Sequence, residues 1–332
     1  MENLERLKIN TNFWRDRNVL VTGAAGFLGS WLTEALIRMD AHVIALVWDK
    51  AGHSRFFREK LYQNTIVAEG AVQDYALVER ALNEYAVEIV FHLAAQPLVT
   101  VANRNPVSTF KTNIEGTWTV LEACRKSPSV RRIVVASSDK AYGELANGHG
   151  YAENSSQFNP HFPYDVSKAC ADLITQSYHQ TYNLPVAVTR CGNLFGGGDL
   201  NFDRLIPGTI RSALRNEPPL IRSNGRYTRD YLYVKDSVGA CLLLAENLHR
   251  KQIQGQAFNF SGNNVKPVIE VVQKILHLMG SNLKPKILNT ARHEIREQAL
   301  NCSKAKKTLG WTPVHDFNKA LQETIAWYKN FP

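Results

Sequence analysis

The sequence predicts an α/β protein: a doubly wound parallel sheet with a smaller, interleaved C-terminal lobe. Three observations carry this. Strand-like and helix-like periodicities alternate through the first two thirds of the chain, and the turn Gly23-Ala24-Ala25-Gly26-Phe27-Leu28-Gly29 joins the first such strand to the first such helix. Downstream, Tyr164 and Lys168 stand four residues apart within a helical pattern.

The elements follow in order. Residues 18–22 form a short apolar strand, and 27–38 an amphipathic helix entered through the glycine turn. Strand signals recur at 42–47, 65–68, 89–93, 132–137 and 185–190, with helical patterns at 75–85, 107–125 and 164–182 between them. After Arg190 the rhythm changes to loops rich in glycine and proline, such as Gly196-Gly197-Gly198 and Pro218-Pro219. The segment 257–260, after a helix at 236–249, is expected to return to the large sheet. Residues 15–190 with 234–262 are therefore expected to form a Rossmann domain, and 191–233 with 263–332 a second lobe.

The chain has 332 residues, of which 44% are hydrophobic and 21% charged, as in ordinary globular proteins. Its apolar runs are strand-sized, so no membrane span is expected. The opening Met1-Glu2-Asn3-Leu4-Glu5-Arg6 lacks the apolar region of a secretory signal, and a cytoplasmic location is expected. Five widely spaced cysteines without a CxxC pair argue against a disulfide framework and against a metal site. Cys191 reads as a small buried hydrophobe. The net charge of +9 is spread over single arginines such as Arg190, Arg204, Arg226 and Arg229, a pattern suited to a small anionic ligand, and no nucleic-acid partner is expected.

In the glycine turn, Gly23 permits the tight bend, Gly26 the close approach of backbone to a pyrophosphate, and Gly29 the packing of helix on sheet. Phe27 and Leu28 open the helix whose unpaired N–H groups would face the phosphates. Asp49, twenty residues beyond Gly29, stands where a carboxylate can accept hydrogen bonds from the adenosine ribose, which points to NAD; Arg55 and Arg58 keep NADP open. Ala94, Ala95 and Gln96 end the fourth strand with small side chains beside the cofactor, and Asn113 completes the cofactor set. His92, inside that strand, reads as structural.

A free phenol titrates near 10, and a neighbouring ammonium favours its ionised form, so Lys168 is expected to activate Tyr164 as a base. Ser138, at the end of the fifth strand, would assist the proton path. It is followed by Asp139-Lys140, for which a plain surface ion pair at a strand end is the alternative to a catalytic role. Asn193, Arg204 and Arg229, with Arg292 as a fourth, are the candidates for a diphosphate.

These residues resemble the extended short-chain dehydrogenase/reductase family, and within it the nucleotide-sugar 4,6-dehydratases. The resemblance runs through Val21-Thr22-Gly23, Ser30-Trp31-Leu32, Ala94 to Val99, Ser137 to Lys140, Tyr164 to Lys168, Gly196 to Asp199, Arg204 to Pro207 and Cys302 to Lys307. It implies tightly bound NAD and conversion of a nucleotide-hexose, CDP-glucose first, to its 4-keto-6-deoxy product. Asp139 would be the acid at C6, and Lys140 either the C5 base or a cation stabilising the enolate. Asp-Lys is the discriminating pair, since related dTDP-glucose enzymes carry Asp-Glu there. The segment Arg229 to Asp236 is closer to the dTDP-sugar enzymes and to epimerases, and Gly70-Ala71-Val72 replaces a family Gly-Asp-Ile/Leu. An NAD-dependent epimerase or decarboxylase is the nearest alternative, and a non-catalytic NAD(P)-sensing or RNA-associated scaffold the remote one. The family also implies a homodimer built on the 107–125 and 164–182 helices.

Overall fold

A near-continuous apolar run can form a strand only where both faces of the sheet are covered, and that is the setting of Asn18–Thr22 (β1) in the computed structural model. The structure describes residues 6–50, 52–144, 150–154, 158–290 and 295–331. β1 is joined in one parallel sheet by His42–Val47 (β2), Ile66–Glu69 (β3), Ile89–His92 (β4), Arg132–Ala136 (β5), Val186–Cys191 (β6) and Ala257–Phe260 (β10). The order across the sheet is β10-β6-β5-β4-β1-β2-β3. Val19 and Val21 pack into one apolar layer with Leu32 and Leu36; Leu20, between them, packs into the other with Val78 and Leu82.

The chain runs outward from β1 through β2 and β3, then returns to place β4 on the other side of β1. That reversal opens a crevice at the carboxyl ends of β1 and β4, where ligands of doubly wound sheets bind. Gly23 closes one side of it with φ +70°, and a Cβ there would lie 2.8 Å from the Cα of Ala94.

Asn193–Phe195 (β7), Thr228–Tyr233 (β9) and Val265–Pro267 (β11) form a second, three-stranded sheet, and Leu220–Ile221 (β8) pairs with Lys286–Ile287 (β12). This small sheet was not foreseen. β7 and β11 have three residues each, β9 opens on Thr228-Arg229-Asp230, and β11 carries Lys266 and Pro267, so apolar patterning is weak. The expected helix at 107–125 runs from Pro106 to Lys126 and carries a widened turn at Lys111–Glu115, between Pro106–Phe110 and Gly116–Lys126. Inside the widened turn, Asn113 Oδ1 accepts from Gln96 N (2.7 Å) and its Nδ2 donates to Gln96 O (3.2 Å) and Ser167 Oγ (2.9 Å). Asn113 thus shapes the loop after β4 and reaches a neighbouring helix.

Near the start of the described chain, Glu246 accepts hydrogen bonds from Trp14 Nε1 (2.7 Å) and Asn10 N (3.1 Å). Burial pushes its carboxyl up to about 7, against those two bonds. The folded value therefore lies above the unfolded one near 4.3, and the protonated acid contributes stability that is complete below about 4.3 and lost as pH rises through 7. Glu246→Gln, which keeps the acceptor without the charge, is expected to raise Tm at pH 8 and to flatten the decline of Tm between pH 5 and 8. Thermal scans across that range check it.

Candidate active site

The turn after β5 sets out the reactive side chains. Ser138 caps it, its Oγ accepting from Lys140 N (3.2 Å) and donating to Asp139 Oδ1 (3.0 Å). Further along the turn, Tyr142 stacks on Tyr151 at 4.7 Å, donates to Asn259 Oδ1 (2.8 Å) and accepts from Arg190 Nη1 (2.7 Å). The turn is thereby fixed to the sheet and to the return strand β10.

The helix Pro163–Tyr182 starts on a proline at its first position, where no N–H is needed, and presents Tyr164 and Lys168 from its first turns. Both are buried, and both line a cleft of about 720 Å³ with Ser138, Asp139 and Lys140. Gly23, Gly26, Phe27, Leu28, Gly29, Ala94 and Ala95 line the same cleft, as do Asn193, Arg204 and Arg229. The expected reactive groups, the glycine turn and three of the four expected anion ligands are therefore brought to one cavity. Arg292 lies outside the described residues.

Burial pushes the Tyr164 phenol up, and the strongest opposing influence is the Arg204 guanidinium, with Ser138 a weaker one. Lys168 donates from Nζ to Ala136 O (2.8 Å), and burial brings its amine down to about 8. The same arrangement places Arg204 within reach of the proton chemistry as well as of an anion; its Nη1 meets Asp199 Oδ2 at 3.0 Å. Asp139, 1% exposed, is also pushed up by burial, which outweighs Lys140, Ser138 and Arg229. A raised carboxyl is what a general acid needs. Asp165, beside Tyr164 in the cleft, is pushed up to about 6 by burial and by Asp139.

The cradle fits a dinucleotide. A Cβ at Gly29 would lie 2.1 Å from Gly23 O, so no side chain can enter between the turn and the helix Phe27–Ile37 that follows it. Asp49 stands exposed beyond the carboxyl end of β2. Asp49, Gln96 and Asn113 are not among the cleft's lining residues. Asn113 acts through the Gln96 backbone. Arg55 and Arg58, which kept a 2'-phosphate open, are engaged elsewhere: Arg55 pairs with Glu34 and Glu59 and stacks 3.7 Å over Trp31, and Arg58 lies over Phe331. His92 is structural as expected, bonded through Nδ1 to Thr22 (2.9 Å) and Nε2 to Thr117 (3.1 Å), and burial lowers it to about 3. Cys191 is buried at the cleft edge.

One residue of the constellation escaped the sequence reading. Gln298, fully buried, donates from Nε2 to Asp139 Oδ2 (3.1 Å) and accepts at Oε1 from Lys140 Nζ and Asn193 Nδ2 (both 3.4 Å). No motif surrounds it.

Comparison with known proteins gives the same picture. The model of the NAD dependent epimerase/dehydratase family matches residues 19–260. The CDP-glucose 4,6-dehydratase of Salmonella typhimurium is 32% identical over 97% of this chain and 93% of its own. Among solved structures, dTDP-glucose 4,6-dehydratase from Bacillus anthracis in complex with NAD superposes with a TM-score of 0.83 at 30% identity, covering 95% of this chain and 97% of the other. UDP-glucose 4-epimerase with UDP-glucose from Thermotoga maritima gives 0.86 at 28% identity, covering 94% and 99%.

Proposed function

Since the chain belongs to the NAD dependent epimerase/dehydratase family, we propose that it is a nucleotide-sugar 4,6-dehydratase that converts CDP-glucose to CDP-4-keto-6-deoxyglucose and water. One observation carries the choice of dehydratase over epimerase. A buried carboxyl raised by its surroundings, Asp139, shares the cleft with Lys140, Tyr164 and Lys168. Interconversion at C4 has no use for an acid aimed at a leaving hydroxyl; loss of water from C5 and C6 requires one.

The glycine turn, the N-terminus of Phe27–Ile37 and Ala94-Ala95 would hold NAD, with Asp49 on the adenosine ribose, where a 2'-phosphate would be repelled. NAD bound there would supply a reversible hydride acceptor for C4 oxidation and C6 reduction, leaving no net redox change. Tyr164 takes the 4-hydroxyl proton; burial pushes its phenol up, and Arg204 and the hydrogen-bonding neighbour Ser138 oppose that rise. Lys168 holds its place on the Ala136 carbonyl. The 4-ketone makes the C5 proton acidic; Lys140 takes it and returns a proton to C5 when hydride reaches C6. Asp139 gives its proton to the 6-hydroxyl, which departs as water. Asn193, Arg204 and Arg229 hold the diphosphate, the guanidinium groups offering two-pronged contacts to its oxygens.

The exposed apolar side chains Val107, Trp118 and Leu173 lie on the helices implied in a homodimer, and their exposure supports a two-fold contact there. All five cysteines are free, consistent with the reducing cytoplasm. No helix among the described residues is long and apolar enough to cross a membrane.

Incubation with CDP-, dTDP-, UDP- and GDP-glucose, followed by alkali, tests the function. A 4-keto-6-deoxy sugar develops strong ultraviolet absorption, expected first with CDP-glucose. A C4 epimer as the product, with no such absorption, would overturn the reading.

A further inference from the structure

Asp139 and Lys140 are consecutive and of opposite charge, so the least costly arrangement of their side chains in a buried cleft is a direct ion pair. Such a pair would hold the carboxyl deprotonated and the amine protonated, the wrong states for an acid and a base. The structure instead sets an amide between them. We propose that Gln298 is a positioning residue for the elimination: it donates to Asp139 Oδ2 and accepts from Lys140 Nζ, holding acid and base apart on the two ends of one side chain.

The backbone that carries Gln298 is itself anchored. Gln298 N donates to Thr228 O (3.2 Å) and Thr228 N to Arg296 O (3.0 Å), which lays the segment along β9. Leu300 N donates to Asp230 Oδ2 (3.0 Å), also on β9, and Tyr151 N donates to Ala299 O (2.8 Å). The side chain is 0% exposed, and both its polar atoms are occupied. Water cannot replace it without a cavity being opened. An amide suits the place because it has one donating and one accepting end, whereas a carboxylate has two acceptors and an ammonium only donors. Oε1 also accepts from Asn193, so the group that separates acid from base touches a candidate diphosphate ligand as well.

This inference rests on the dehydratase reading for its catalytic meaning, and the test has one arm that needs no turnover. In that arm the Asp139 carboxyl is titrated by carbon NMR in the full-length protein and in Gln298→Met. Lys140 and Arg229 are the cations that act on this carboxyl, and with the amide gone Lys140 can close on it. The midpoint is expected to fall by about one unit or more. An unchanged or raised midpoint would overturn the proposal.

The second arm uses CDP-glucose and both Gln298→Met and Gln298→Glu. Gln298→Glu keeps the acceptor toward Lys140 but loses the donor toward Asp139, and it decides the matter should Gln298→Met not fold. Turnover is expected to fall by about 100-fold with KM within about threefold, the size of effect that misplaced reacting groups produce. The absorbance of reduced nicotinamide should build up on mixing, because oxidation at C4 depends on Tyr164 and not on Gln298. Turnover within threefold of the parent, or a loss with no such build-up, would contradict the positioning role. If the parent enzyme itself makes no 4-keto-6-deoxy product, the dehydratase reading fails while the titration still decides whether Gln298 keeps the pair apart.

Discussion

Tyr164→Phe is expected to lower turnover of CDP-glucose by about 1000-fold while leaving nucleotide-sugar affinity within about threefold, the range that loss of a positioned acid-base group produces. The ring stays and only the hydroxyl goes, and the residue is buried on the cleft side of a 20-residue helix, so the fold should be undisturbed. Lys168 cannot substitute for it as the base: its ammonium is committed to Ala136 O at 2.8 Å. Arg204 exerts the strongest pull toward the phenolate, so removing the phenol should spare the diphosphate contact while removing its partner in proton transfer. Steady-state kinetics combined with equilibrium binding of the substrate check both halves. Retention of a tenth of the activity would mean that another group takes the 4-hydroxyl proton.

The largest effect on stability is expected at Asp172→Ala. Asp172 is 0% exposed, accepts from Arg190 Nε (2.7 Å) and Nη2 (3.0 Å), and leaves that guanidinium uncompensated if it is removed. Stranding a buried charge costs about 3–5 kcal/mol, a large share of the 5–15 kcal/mol typical of a folded domain. The damage should also reach the active site, because Arg190 Nη1 donates to Tyr142, which lies in the turn that carries Asp139 and Lys140. A double replacement, Asp172→Leu with Arg190→Met, should cost much less than the single one, since no charge is left buried. Denaturant unfolding of both variants measures the difference. Equal losses would mean that packing, not charge, sets the cost.

The large sheet was legible because it is buried on both faces. Continuous apolar runs such as Val19-Leu20-Val21 and Val43-Ala45 have few other uses, and the expected and observed bounds of β1, β2 and β10 coincide. The glycine turn was legible because left-handed φ at Gly23 and the tight approach at Gly29 leave no other residue type. Tyr164 and Lys168 could be read from helical spacing, which puts both on one face. The small sheet escaped because β7 and β11 have three residues each and β9 opens on the polar run Thr228-Arg229-Asp230, which leaves little period to count. Arg55 illustrates a different limit: beside Asp49 in sequence it looked like a phosphate ligand, yet the fold turns it onto Trp31 and two glutamates. Gln298 lies 159 residues from its partner Asp139, and nothing in its neighbours marks the contact. Arg204, forty residues beyond Tyr164, opposes the burial that pushes the Tyr164 phenol up, and no spacing in the sequence marks that approach.

The proposed reaction oxidises one sugar at C4, dehydrates it across C5 and C6, and reduces it at C6 within a single turnover. CDP-glucose carrying deuterium at C4, followed by NMR of the product, tests it most directly. The account predicts deuterium at C6 of a 4-keto-6-deoxy sugar. Deuterium found back at C4 of a sugar that keeps its 6-hydroxyl would contradict it.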